Sequence, residues 1–404
     1  MQPATEKRVA NPYYTYGIIY LSPRFHEWEA SQGPRYRAYR QEWAKRASNL
    51  DAGEFPLNLN IEVTTRCNLA CTFCPQPAFQ DKERYDMPWE LYSKVIDEGT
   101  RYQTPAANLN GLGEPMLRKD LPEMIAYAKQ SGMIDVMFHT NGTIMTEHLA
   151  RALVEANLDR IIFSVDSPDK ATYEAMRIRS DYDRVLKNVR LFHQERQSRG
   201  RATPMIRTTM VVTDKTVHQV QNFVNLWSPI ADQITLQDLT WRTKSLDLGS
   251  WANQERSAIP TDMNEIRREA KEKRVSFVCP YLYQSAYAYG NGDVIPCSNP
   301  NARKQMVMGR YDHETLRGVW HGKRYQDLRK LHAEGRWDEH PVCRECEIPL
   351  IELYKTLKRQ EVSDKEASVS PQGQALLPVA SEIGPKDASN RDLVLETQEE
   401  EFEP

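Results

Sequence analysis

The chain has 404 residues, 40% of them hydrophobic and 27% charged, with seven cysteines and a formal charge of −3. That is enough chain for one large or two ordinary domains with cores of their own, which excludes disorder as a whole. The charge leaves no basic surplus to neutralise phosphates, so it argues against a general nucleic-acid or anionic-membrane binder and toward small-molecule or peptide chemistry.

An odd cysteine count in a chain of this length does not describe a paired disulfide framework. The N-terminal stretch offers only the apolar run Gly17-Ile18-Ile19-Tyr20, too brief for a signal sequence, and no segment reaches membrane-spanning length. The expectation is a cytoplasmic protein whose cysteines bind metal.

In chain order, residues 1–56 read as an N-terminal extension, an aromatic-rich loop followed by one charged helix over 35–47. Leu57-Asn58-Leu59-Asn60-Ile61-Glu62-Val63 then alternates apolar and polar residues, the period of a strand with one face in a core. Strand-like runs follow at 107–110, 135–139, 160–165, 206–212 and 234–239. Between them lie helical patterns such as Met124, Ile125, Ala128 and Val185, Val189, Phe192. Strand and helix in regular alternation over 57–255 predict a parallel sheet, and six such units suit a barrel or partial barrel with functional residues at the C-terminal strand ends. Residues 256–360 carry four cysteines among Tyr, Gly, Asn and Pro and read as a second, smaller module. Residues 361–404 hold eleven acidic against three basic residues with few aromatics, the composition of an acidic disordered tail.

Directly after the first strand comes Thr64-Thr65-Arg66-Cys67-Asn68-Leu69-Ala70-Cys71-Thr72-Phe73-Cys74. Three thiolates on one loop leave one iron of a [4Fe–4S] cube open to another ligand. A closed structural zinc site would want a fourth ligand, for which His139 is available. Cys67-x3-Cys71-x2-Cys74, with an aromatic before the last cysteine, resembles the signature of the radical S-adenosylmethionine (radical SAM) superfamily. Further motifs follow in order at strand ends. Asn110-Gly111-Leu112-Gly113-Glu114-Pro115 is similar to the family's Gly-Gly-Glu-Pro, with Leu112 in place of the first glycine. His139-Thr140-Asn141-Gly142-Thr143 resembles its Thr-Asn-Gly turn, and Ser164-Val165-Asp166-Ser167 its Ser-Leu-Asp-Gly.

The resemblance implies an α/β fold, a partial (β/α)6 TIM-like barrel. It also implies chemistry in which SAM chelates the open iron, one electron cleaves the sulfonium, and a 5′-deoxyadenosyl radical abstracts a hydrogen atom from substrate. By motif matching Cys67, Cys71 and Cys74 hold the cluster, and Phe73, Gly113, Glu114 and Ser164 contact SAM. Thr140, Arg177 and Arg207 are further candidates for SAM or substrate carboxylates, with Arg177 and Arg207 equally readable as structural salt-bridged arginines. The implied partners are a small-molecule substrate and an external one-electron reductant such as flavodoxin or ferredoxin, with no nucleic acid and no membrane.

The other cysteines are Cys279, Cys297, Cys343 and Cys346. Four thiolates from two distant segments make a closed site, for which zinc is a rival from ligand type alone. Beside a radical SAM barrel, Gly292-x4-Cys297 and Cys343-x2-Cys346 look like the auxiliary-cluster region of SPASM and twitch proteins. The small C-terminal domain is then SPASM/twitch-like, in the shortened form with one auxiliary [4Fe–4S] cluster. A closed cluster is left electron transfer or structure as its role. The expected function is oxidation of a small polar substrate, a sugar or aminocyclitol, with that cluster as electron acceptor. Asp238, Arg242 and Tyr283 are candidates to handle the proton. A peptide-modifying maturase is the alternative, set lower because residues 1–56 show no strand-rich leader-binding unit. A radical epimerase is set lower again because all seven cysteines are assigned to clusters. The non-enzyme reading is a zinc-stabilised binding protein.

Overall fold

The computed structural model describes residues 7–9, 17–79, 84–239 and 263–369. Twelve strands fall among the described residues: β1 (Lys7–Val9), β2 (Gly17–Leu21), β3 (Asn58–Glu62), β4 (Ala106–Asn108), β5 (Asp135–Thr140), β6 (Arg160–Ser164), β7 (Met205–Val212), β8 (Gln233–Asp238), β9 (Val275–Phe277), β10 (Ser285–Tyr289), β11 (Asp293–Ile295) and β12 (Gly309–Arg310). β3 to β8 pair in parallel in chain order, the six strand–helix units expected of a partial barrel. Side-chain caps start the covering helices: Thr146 accepts from Leu149 N–H, and Asp181 from Arg184 N–H.

Alternation in β3 sorts its side chains. Leu59 and Ile61, with Val63 just beyond the strand, are fully buried among the surrounding helices, beside Tyr92, Val95 and Ile96. Asn58, Asn60 and Glu62 on the other face are also buried. Asn58 and Asn60 line the barrel lumen and Glu62 pairs with Arg303, so this face differs from the solvent-facing side that alternation ordinarily signals.

Three features depart from the sequence expectation. Residues 17–21 form a strand antiparallel to β8, closing the open edge of the barrel. They are followed by two helices, α1 (Pro23–Ser31) and α2 (Pro34–Lys45), where one was expected. Rings pack in series from Phe25 through Trp28, Tyr36 and Tyr39 to Trp43, with centroids 5.5, 5.5, 6.0 and 6.0 Å apart. They form a core with Leu57, Ala106 and Met205 at the strands' N-terminal ends and so cover the barrel floor. Second, β10 pairs in parallel with β3, so the cysteine-bearing module continues the barrel sheet in the order β12-β11-β10-β3. Third, the helix Ile348–Val369 runs past Glu361 into the segment expected to be disordered, and residues 370–404 lie outside the described ones. Among the described residues no helix is long and apolar enough to cross a membrane.

Candidate active site

The loop after β3 carries Cys67, Cys71 and Cys74 and is fixed by backbone bonds to its neighbours. Ala70 N–H donates to Ile178 O at 3.1 Å and Thr72 N–H to Met176 O at 2.9 Å. Burial pushes the Cys67 thiol up to about 11 and Cys74 up to about 12, and raises Cys71 as well. Neutral thiols are favoured there unless a bound cation takes them as thiolates, the chemistry of a metal donor set. Arg177 lies against this loop. It is buried and paired with Asp166, its Nε donating to Asp166 Oδ2 at 2.6 Å, as a structural arginine would be. Its Nη1 also donates to Cys71 Sγ at 3.8 Å, and its guanidinium lies 5.7 Å from the Phe73 ring centroid.

The second motif stands beside the cysteine loop. A Cβ on Gly113 would fall on the Thr64 and Arg66 carbonyl oxygens, so only glycine fits this approach. Glu114 N–H donates to Arg66 O at 2.8 Å. The Glu114 carboxylate is buried and accepts from Thr140 Oγ1 (2.8 Å), Asn141 N–H (2.7 Å) and Met116 N–H (3.1 Å). Burial outweighs these donors and lifts the carboxyl to about 7. Thr140 therefore serves Glu114. Gly142, at φ +73°, takes the left-handed turn of the third motif. Asn141 Nδ2 donates to Asn68 Oδ1 at 3.0 Å, joining that turn to the cysteine loop. The motifs that are separate in sequence thus converge at the C-terminal ends of β3, β4, β5 and β6.

Below them the lumen holds a cavity of about 730 Å³. Phe73, Cys74, Ser164, Asp166 and Arg177 line one end, α1 and α2 the other, and Tyr281, Tyr287 and Ser298 the side formed by the C-terminal module. Arg207 is on the wall, with Nε and Nη2 both donating to Gln233 Oε1 at 2.9 and 2.6 Å. His139 is also in the wall. Burial, then the positive charges of Arg207 and Arg160, push it down to about 3, so the imidazole is neutral.

Of the proton-handling candidates, Asp238 is the last residue of β8 and Arg242 lies outside the described residues. Tyr283 is buried, its hydroxyl donates to Arg329 O at 3.4 Å, and it is not among the residues that line the cavity. The helix Tyr281–Gln284 turns Tyr281 to the lumen and Tyr283 into the core. Residues that sequence reasoning passed over are Asn58, Asn60, Asn108, Gln233 and Gln237. The signal of Asn58, Asn60, Asn108 and Gln237 was present as polar positions inside strand-like runs, and Gln233 stands just before one.

The four remaining cysteines gather on the module beside β10. Burial and the neighbouring thiols Cys297 and Cys346 push the Cys279 thiol up, and burial with Cys297, Cys279 and Cys346 does so for Cys343. Four thiols and no other donor type make up the set. A cube places each cysteine on its own iron, and the donor set fits that group.

A parallel barrel with three thiols on one loop at its mouth and four on an attached module defines an iron–sulfur barrel protein. Residues 61–226 match the radical SAM superfamily and residues 279–347 an iron–sulfur cluster-binding domain, SPASM. The chain belongs to the radical SAM superfamily and carries a SPASM-type auxiliary domain. The cofactors that go with this membership are SAM, the [4Fe–4S] cluster that binds it, and an auxiliary iron–sulfur centre. One curated relative is a probable GTP 3′,8-cyclase of Methanococcus maripaludis, 28% identical over 40% of this chain and 52% of its own length. The chain thus spans about half the length of that relative. The PqqA peptide cyclase of Xanthomonas campestris is 24% identical over 68% of this chain and 76% of its own length. Streptococcus suis SuiB, solved with S-adenosylmethionine, shares the fold at 16% identity and a TM-score of 0.55, covering 78% of this chain and 76% of that one.

Proposed function

We propose that the protein is a radical SAM oxidoreductase that oxidises a small polar molecule, a sugar or aminocyclitol, in the barrel lumen. The observation that carries this reading is the set Asn58 Oδ1, Asn108 Oδ1 and Ser285 Oγ. All three are buried, belong to cavity-lining residues, and have no hydrogen-bond partner among the described residues. A buried polar atom left so costs about 1–3 kcal/mol, which a ligand or water must offset. Two amide carbonyl oxygens call for donors, the hydroxyl and ammonium groups of such a substrate. The cavity lies within the size range of small-molecule sites, and its floor is covered by the aromatic series of α1 and α2.

Cys67, Cys71 and Cys74 would hold the SAM cluster, and Cys279, Cys297, Cys343 and Cys346 the auxiliary one. Loaded with SAM and both clusters, the site would supply one-electron chemistry able to take a hydrogen atom from an alcohol carbon and then an electron, with the hydroxyl proton passing to a base, the balance of an alcohol-to-carbonyl oxidation. By motif matching Glu114 would meet the methionine ammonium, and Phe73 and Ser164, which line the cavity, would wall the adenosyl end. Arg177, fixed by Asp166, steadies the Cys71 side of the loop. Asp238 keeps the proton-acceptor role on sequence grounds. An external one-electron reductant completes the cycle.

A second reading, a peptide-modifying maturase, is favoured by the PqqA peptide cyclase match, which extends over 68% of this chain. The test is a substrate panel given to the reconstituted enzyme. Sugars and aminocyclitols that stimulate 5′-deoxyadenosine formation support the first reading, and stimulation by precursor peptides alone supports the second. Asn108→Leu should raise KM for the true small substrate while SAM binding is kept.

A further inference from the structure

His332 stands between two of the auxiliary cysteines, outside every motif discussed above. It lies on the helix Lys323–Ala333, is 2% exposed, and packs edge-on against Phe277 with centroids 6.2 Å apart. The backbone N–H of Cys279 donates to His332 Nδ1 at 3.3 Å. A backbone amide can only donate, so Nδ1 is the unprotonated nitrogen and the ring's proton is on Nε2. That nitrogen is 3.7 Å from Cys343 Sγ. The Nε2–H is therefore a donor aimed at the sulfur, and the imidazole joins Cys279 to Cys343 with its tautomer set by the first bond.

We propose that His332 tunes the auxiliary centre by donating Nε2–H to the Cys343 thiolate. A hydrogen bond to a ligand sulfur withdraws electron density and stabilises the more negative, reduced state of a cluster, which raises its reduction potential. This is the direction an electron acceptor needs, so the inference deepens the proposed oxidation and rests on Cys279, Cys297, Cys343 and Cys346 as cluster ligands. The bond to Cys279 N–H makes His332 a positioning residue as well, since it holds the backbone next to a second ligand.

The measurement is an EPR-monitored redox titration of the full-length chain carrying Cys67→Ala, Cys71→Ala and Cys74→Ala, so that only the auxiliary centre loads. His332→Leu should shift the midpoint potential downward, and His332→Gln, whose amide keeps a donor, should recover part of the shift. A purely structural role would not produce that ordering. An unchanged midpoint in His332→Leu at about four irons per chain overturns the proposal. If His332→Leu does not load, pulsed EPR on protein without a substitution at His332, carrying isotopically labelled histidine nitrogen, reads the same bond. A resolved nitrogen coupling to the reduced centre supports it and its absence overturns it. The titration needs no substrate, so it reports on His332 whether or not the proposed oxidation is right, and zinc in place of iron would overturn both.

Discussion

Glu62 and Arg303 form a bidentate ion pair, Nη1 to Oε2 at 2.9 Å and Nη2 to Oε1 at 2.8 Å, that ties the first barrel strand to the auxiliary module. Both side chains are almost wholly buried. The same carboxylate accepts from Leu112 N–H at 3.0 Å, in the glycine-rich loop beside Glu114, and from the Tyr85 hydroxyl. Arg303 lies 4.2 Å from the Tyr289 ring centroid, on β10. One buried carboxylate thus sets the loop assigned to SAM against the domain that carries the second cysteine set.

Removing one partner leaves the other charge unpaired in the interior. Arg303→Met should destabilise the protein by about 3–5 kcal/mol, whereas the pair Glu62→Gln with Arg303→Met should recover part of the loss. Chemical denaturation of the three proteins checks this. Equal stability of Arg303→Met and the parent would refute it.

Glu114 gives a dependence on pH with a definite sign. Its carboxyl is raised to about 7 from an ordinary 4.5, so the native chain keeps a proton that the unfolded chain has already released. Stability conferred by the protonated form is present below about pH 4.5 and is lost as pH rises through about 7. Glu114→Gln does not titrate. Its stability relative to the parent, without SAM, should improve by up to about 3 kcal/mol between about pH 4.5 and about pH 8. The same variant should bind SAM weakly in equilibrium dialysis, because an amide cannot balance an ammonium.

Much of the barrel was legible because six strands each carry an alternating or apolar run, and because the cysteine spacing and the short motifs sit at their ends. The lumen was not. Asn58, Asn60 and Glu62 read as the wet face of a strand, since sequence alone does not distinguish a polar face turned to solvent from one turned to a barrel interior. Gly17 to Tyr20 becomes a strand only through β8, a partner far along the chain. Tyr283 and Tyr281 differ only in which way a four-residue helix turns them. Arg303 and His332 carried no local signal, because each owes its role to a partner brought close by the fold.

The floor of the lumen depends on ring packing. Trp28, 7% exposed, has Phe25 and Tyr36 both 5.5 Å away between centroids. Trp28→Ala should cost about 3–5 kcal/mol, seen as a lower denaturation midpoint. It should also raise SAM cleavage that is uncoupled from product by admitting water to the lumen.

Metal content separates the two cysteine sets. Anaerobic analysis should find about eight irons per chain with a broad absorption near roughly 400 nm, and Cys343→Ala about four. Zinc in either set would contradict that assignment.

The most direct test of the oxidation reading uses a sugar or aminocyclitol deuterated at the reacting carbon, with one-electron reductant and SAM under anaerobic conditions. The account predicts deuterium in 5′-deoxyadenosine and, in matching amount, a product two electrons more oxidised than the substrate. Deuterated 5′-deoxyadenosine beside a product at the substrate's own oxidation level would contradict it.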